Sequence, residues 1–158
     1  MNKEGLIEAY IGVEKTSKKS LDWYKDSFRK SELSGGLSWK WSWWAFFGNW
    51  LFLLYRKCYL EGISYFVLIN IIGKAISKFE PSLDKYVGAA FIFLGLLSGG
   101  LLHNLLYRRY IKIRRNLELK FKSQKKVEEE LKKAGGGNWR AVIIGVIGYF
   151  IVNLIFNL

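Results

Sequence analysis

The sequence predicts an all-α integral membrane protein. It has about three spanning helices, an aromatic re-entrant or interfacial helix and a basic cytosolic helical arm. Three observations predict this. Charge is segregated: Trp41–Tyr55, Tyr86–Tyr107 and Ala141–Leu158 contain no Lys, Arg, Asp or Glu, whereas Met1–Lys40 and Arg108–Arg140 hold most of the charge. The chain is 51% hydrophobic and 17% aromatic, yet its net charge is +12. A mean hydropathy of +0.06 therefore averages two unlike populations. Third, tryptophan is clustered, with five of seven between Trp39 and Trp50. A soluble protein this apolar would spread its charges along amphipathic elements. At 158 residues there is room for one domain.

Taken in order, residues 1–40 form a cytosolic amphipathic N-terminal region. Leu6, Ile7, Tyr10 and Ile11 fall at helical spacing, as do Leu21, Tyr24 and Phe28, and Ser34-Gly35-Gly36 ends the pattern. With eight basic against six acidic residues the region is nearly balanced, and it is expected to pack on the membrane surface or on the cytosolic tail. Residues 41–107 hold the aromatic helix and two spans. Trp41–Tyr55 is 15 residues, about 22 Å as a helix against a hydrocarbon core of roughly 30 Å. A re-entrant or in-plane helix is favoured over a short tilted span carrying a tryptophan belt. Tyr59–Ser77 reaches span length if Glu61 and Lys74 sit at opposite interfaces. Phe79–Asp84, with the single proline at Pro81, is a turn. Tyr86–Tyr107 supplies 22 uncharged residues and is the firmest span.

Residues 108–140 are read as a continuation of that helix into water, followed by a Gly-rich turn. Ile113, Leu117, Phe121, Val127, Leu131 and Ala134 make one apolar stripe, and Gly135-Gly136-Gly137-Asn138 closes it. Residues 141–158 are a last span. Arg108–Arg140 carries twelve basic and four acidic residues, while the Lys74–Lys85 connection is close to balanced. The positive-inside rule puts the former in the cytosol and the C-terminus outside. The N-terminus is cytosolic if Trp41–Tyr55 is re-entrant and external if it spans; the cytosolic placement is favoured. No cleavable signal pattern precedes the first apolar run, so insertion is expected to use the spans themselves.

The block Trp41, Trp43 or Trp44, Ala45, Phe46, Phe47, Gly48, Trp50, Leu53, Leu54, Tyr55, Arg56, Lys57 and Tyr59 resembles a bacterial family of small membrane proteins known as domain of unknown function 2628. Tyr10-Ile11-Gly12, Trp23-Tyr24 and Phe28 resemble the family's leader, and Asn104, Tyr107 and Gly135–Gly137 its later landmarks. The sequence departs from the family pattern at Trp43-Trp44, where small residues are common, at Asn49 for a frequent proline, and at Cys58 for methionine. The resemblance implies a bacterial cytoplasmic (inner) membrane and multi-pass placement, and it implies no activity.

Candidate chemistry is sparse. Trp39, Trp41, Trp43, Trp44, Trp50 and Tyr55 suit the headgroup level. Arg56 and Lys57 could hold lipid phosphates, although topology anchoring, with Lys57 paired to Glu61, is the favoured reading. Arg114, Arg115, Lys125 and Lys126 would meet anionic lipid. Gly95 and Gly99, and Ala141 and Gly145, are small-xxx-small pairs that permit close helix approach. Asn70, Glu61, His103, Asn104 and Asn153 are the candidate polar membrane site. For His103 a helix-packing role is favoured over a proton relay, because no carboxylate precedes it in its span.

One cysteine and one histidine give neither a disulfide framework nor a usual zinc site. No catalytic triad context and no phosphate loop is present. No enzyme activity, cofactor, metal or nucleic-acid partner is therefore expected. The expected function is a non-enzymatic interaction or scaffold role. It would engage anionic membrane lipids or an acidic protein partner, with a membrane protein partner or a homo-oligomer as the further candidates. The alternative is a subunit of a small oligomeric transporter or channel.

Overall fold

A computed structural model describes residues 3–12, 16–79 and 84–156. These residues form helices and connecting segments without strands. The order is α1 (Lys3–Ile11), α2 (Lys18–Leu33), α3 (Trp43–Tyr55), α4 (Tyr59–Phe79), α5 (Asp84–Lys120), α6 (Gln124–Ala134) and α7 (Trp139–Phe156). The turn expected within Phe79–Asp84 falls largely outside the described residues, as does Leu158.

The ends of these helices have local causes. Ser17 caps α2 by accepting from the Ser20 N–H at 3.3 Å, and Ser42 caps α3 by accepting from the Ala45 N–H at 3.2 Å. At the end of α2 the Gly36 N–H reaches back to the Ser31 carbonyl at 2.6 Å. That closure needs the left-handed backbone of Gly35 and Gly36, with φ of +71° and +99°. The next residues run extended along α5. The Lys40 N–H donates to the Gly100 carbonyl at 3.1 Å, and the Ser42 N–H to the Gly99 carbonyl at 2.8 Å.

α3 is not one straight helix. Asn49 has φ 45° and ψ −121°, which divides it into two short helical pieces. Asparagine is among the few L-residues that tolerate positive φ. α3 packs most extensively on α5, then on α4 and α7, and so stands at the centre of the long helices. α5 is 37 residues, about 55 Å long.

The buried core does not lie among the apolar helices. It lies where α1, α2, the end of α3 and α6 close around the second half of α5. Leu6, Tyr10, Ile11, Phe28, Phe52, Leu106, Tyr110, Val127 and Leu131 are among its members. Tyr10 and Phe28 each pack on Tyr110 with ring centroids 5.3 Å apart. The N-terminal helices thus pack on the second half of α5 and on α6. Lys25 to Glu8 (2.5 Å) and Lys3 to Glu32 (2.9 Å) join α1 to α2.

The expectation of one helix through Arg108–Lys133 is corrected. α5 stops at Lys120, and α6 turns back onto α1 and α5. The apolar stripe is a core stripe: Val127 and Leu131 are buried, and Ile113, Leu117 and Phe121 pack against the same core.

α4, the first half of α5 and α7 present the opposite character. Leu60, Ile63, Leu68 and Ile71 of α4, Phe91, Ile92 and Phe93 of α5, and Ile144, Ile147, Phe150 and Leu154 of α7 are all exposed. Two helical stretches, Gly88–Lys120 and Gln124–Leu154, are long and apolar enough to cross a membrane, by length and composition. The apolar part of the second is α7.

Candidate membrane-interface site

Two polar constructions lie at the junction between the packed head and the exposed apolar helices. The first centres on Asn104. Its amide oxygen accepts from the Ser31 hydroxyl (2.9 Å) and the Ser38 N–H (3.0 Å). Its NH₂ donates to the Ser38 carbonyl (2.8 Å) and the Leu101 carbonyl (3.0 Å). Asn104 therefore pairs with the backbone of Ser38 much as a neighbouring strand would. The Ser38 hydroxyl also lies 3.0 Å from His103 Nε2, and the edge of Trp23 covers the imidazole at 6.0 Å. His103 Nδ1 is buried with no hydrogen-bond partner among the described residues. These bonds join α5 to the segment after α2.

Lys40 extends this construction. Its ammonium pairs with Asp26, donates to the Trp23 carbonyl at 3.1 Å and lies over the Trp23 ring. Hydrogen bonds from Lys40 and then Arg29 hold the Asp26 carboxyl well below the usual carboxylate range.

The second construction is a groove of about 800 Å³. Its lining is aromatic at Trp23, Tyr24, Trp41, Trp43, Trp44, Tyr55 and Trp139, hydroxylic at Thr16, Ser17, Ser20 and Ser42, and cationic at Lys19 and Arg56. Arg56 is only 6% exposed. Nε donates to the Tyr24 hydroxyl at 3.1 Å and Nη1 to the Ile11 carbonyl at 3.2 Å. The guanidinium lies 4.4 Å from the Tyr24 ring centroid and 5.3 Å from that of Tyr55. Distant parts of the chain thus enclose Arg56. Burial raises the Tyr24 phenol above its ordinary value, and it pushes the nearby Cys58 thiol up to about 12.

The other expected residues divide by position. Trp39, Trp43 and Trp44 are exposed, and Trp44 lies 5.9 Å from Trp139. Trp41 packs on Gly99, Phe46 on Gly95, and Trp50 with Leu54 on Gly145. The small-residue faces are thus filled by aromatic and aliphatic side chains of this same chain. Lys57 donates to the Lys133 carbonyl at 2.9 Å. Arg114 is tied to Glu118 at 2.8 Å, whereas Arg115, Lys125 and Lys126 are exposed.

Asn70 and Asn153 each donate to their own helix one turn back, to Phe66 (2.8 Å) and Tyr149 (2.9 Å). Among the described residues no hydrogen bond joins Asn70, Glu61, His103 or Asn153 to one another. One oxygen of Glu61 is buried without a partner among them. Ala141 accepts no special role beyond taking the Asn138 cap at 3.3 Å. Sequence reasoning missed Lys19, Trp23, Ser31, Ser38 and Trp139. Only Trp139 carried a local signal, as a tryptophan between a basic stretch and an apolar run.

Helices with apolar outer faces, joined through an aromatic collar to a basic packed head, define an all-helical protein with two candidate membrane-spanning helices. The chain belongs to the family described as Protein of unknown function (DUF2628), whose sequence model matches residues 13–110. No curated protein and no solved structure matches.

Proposed function

We propose that this chain is a non-enzymatic protein of the bacterial cytoplasmic membrane that holds a folded basic head against the inner surface, where it engages anionic lipid or an acidic partner. The observation that carries the reading is the sharp border between the exposed apolar faces of α4, α5 and α7 and the aromatic collar of Trp39, Trp43, Trp44 and Trp139. Exposed apolar patches this continuous need cover, and lipid tails provide it. In this reading α4, the first half of α5 and α7 span, with the N-terminus cytosolic and the C-terminus external. The break at Asn49 and the central position of α3 support a re-entrant helix over a fourth span.

Arg115, Lys125 and Lys126 then face the headgroups or a partner, at about 1 kcal/mol per basic residue near an anionic surface. The full chain in zwitterionic lipid discs is expected to bind vesicles containing phosphatidylglycerol. Reversal of all three to Glu should weaken that binding at least tenfold. Unchanged binding would remove these residues from the proposal. The transporter alternative has less support, because its candidate polar residues lie on separate helices and, among the described residues, no hydrogen bond joins them.

A further inference from the structure

We infer that the groove over Arg56 is a binding site for one anionic phospholipid headgroup, with Arg56 and Lys19 as its phosphate-binding cations. The inference rests on the membrane placement proposed above and names a lipid site separate from the exposed basic surface.

A guanidinium taken out of water needs a counter-charge or a full set of acceptors. Arg56 offers five N–H donors. It is more than nine-tenths buried, and its acceptors are two neutral oxygens, from Tyr24 and Ile11. Among the described residues no carboxylate lies within ion-pair distance of it. Asp26, which does not line the groove, pairs with Lys40, Arg29 and Lys30. Among the described residues no acidic side chain lines the groove in which Arg56 lies, while Lys19 and Ser42 do. The site therefore holds uncompensated positive charge with hydroxyl donors around it, the complement of a phosphate.

The walls decide the source of that phosphate. Trp44 and Trp139 are exposed indoles at the foot of the apolar band, packed on each other at 5.9 Å. Indoles favour the headgroup level of a bilayer. A free phosphate would leave them unused, whereas the glycerol and first methylenes of a phospholipid would lie against them. The volume, about 800 Å³, falls within the ordinary range for ligand pockets.

The test uses the full chain in detergent micelles, followed by tryptophan fluorescence. It is titrated in turn with short-chain phosphatidylglycerol, short-chain phosphatidylcholine and inorganic phosphate. Phosphatidylglycerol should bind at least tenfold more tightly than either other probe. Lys19→Glu, on an exposed lining residue, should weaken it at least fivefold, and Lys122→Glu, an exposed charge that does not line the groove, should leave it within twofold. Arg56→Gln should weaken it more than tenfold; if that variant does not fold, Lys19→Glu decides.

Equal binding of phosphatidylcholine would overturn the charge argument, and equal binding of inorganic phosphate would overturn the lipid source. Full binding by Lys19→Glu would overturn the location. Alkaline extraction of membranes separates the two readings. A protein released by alkali loses the membrane placement itself, whereas a retained protein without phosphatidylglycerol selectivity loses only the groove.

Discussion

The two halves of α5 make the most instructive comparison in this molecule. Phe91, Ile92 and Phe93 in the first half are exposed, while Leu102, Leu106 and Tyr110 in the second are buried. The more apolar half is the less buried one. In the head, apolar residues are few and spaced by helical turns, so each amphipathic helix has one face to hide and the faces close on each other. Along α7 apolar residues run all round the helix and define no inward face. Such a helix is at equilibrium when lipid covers it.

Substitutions that delete volume sharpen the contrast most. Leu131→Ala empties a site that is 0% exposed at the contact of α6 with α1 and α5, and should cost about 2–5 kcal/mol. Ile144→Ala, on a residue 69% exposed, should change stability by about 0.5 kcal/mol or less. Detergent-solubilised unfolding followed by circular dichroism measures both. Comparable losses would mean that the Ile144 face of α7 packs on protein.

Asn104→Leu acts at the border between the regions. It leaves the Ser38 N–H and carbonyl without their side-chain partner and should cost about 2–3 kcal/mol. Ser31→Ala, which removes one of the several bonds, should cost about 1 kcal/mol by the same measurement. If the two variants were equal, the pairing of Asn104 with the Ser38 backbone would not be the dominant contact.

The smallest effect is electrostatic. The Asp26 carboxyl is held down by Lys40 and then by Arg29 and Lys30. Its contribution is therefore complete above the ordinary carboxylate value, near 4, and fades as pH falls below it. Thermal midpoints of the wild type should fall between pH 5 and pH 3 more steeply than those of Asp26→Asn. Parallel curves would place the acid sensitivity elsewhere.

Much of this was legible in the sequence, in physical terms that can be traced residue by residue. The uncharged runs gave α3, the first half of α5 and α7, and the glycine-asparagine run gave the end of α6. The break between α5 and α6 also had a signal. Ile113, Leu117 and Phe121 step by four, but Val127 comes six residues later, about 240° out of phase with a continuous helix. A polar helix and a polar turn look alike in composition, and only that phase slip separates them.

The kink at Asn49 was harder to read, because asparagine tolerates positive φ without requiring it. The polar constructions were not legible at all. Arg56 bonds to residues 32 and 45 positions away, and Asn104 to Ser38 at 66. Nothing local distinguishes a buried arginine from an anchoring one. The small residues at 95, 99 and 145 were read as sites of close helix approach; the side chains against them are Phe46, Trp41, Trp50 and Leu54 of the same chain.

The central claim is that one border divides the molecule into a packed head and a lipid-covered band. Spin labels on single cysteines, in a Cys58→Ala background reconstituted in lipid discs, test it directly. Labels at Leu68, Phe93 and Ile147 should relax with oxygen and not with a water-soluble nickel chelate. A label at Lys125 should respond to nickel, and one at Val127 to neither. Nickel access at Phe93 and Ile147 would contradict the account, because the apolar faces would then meet water.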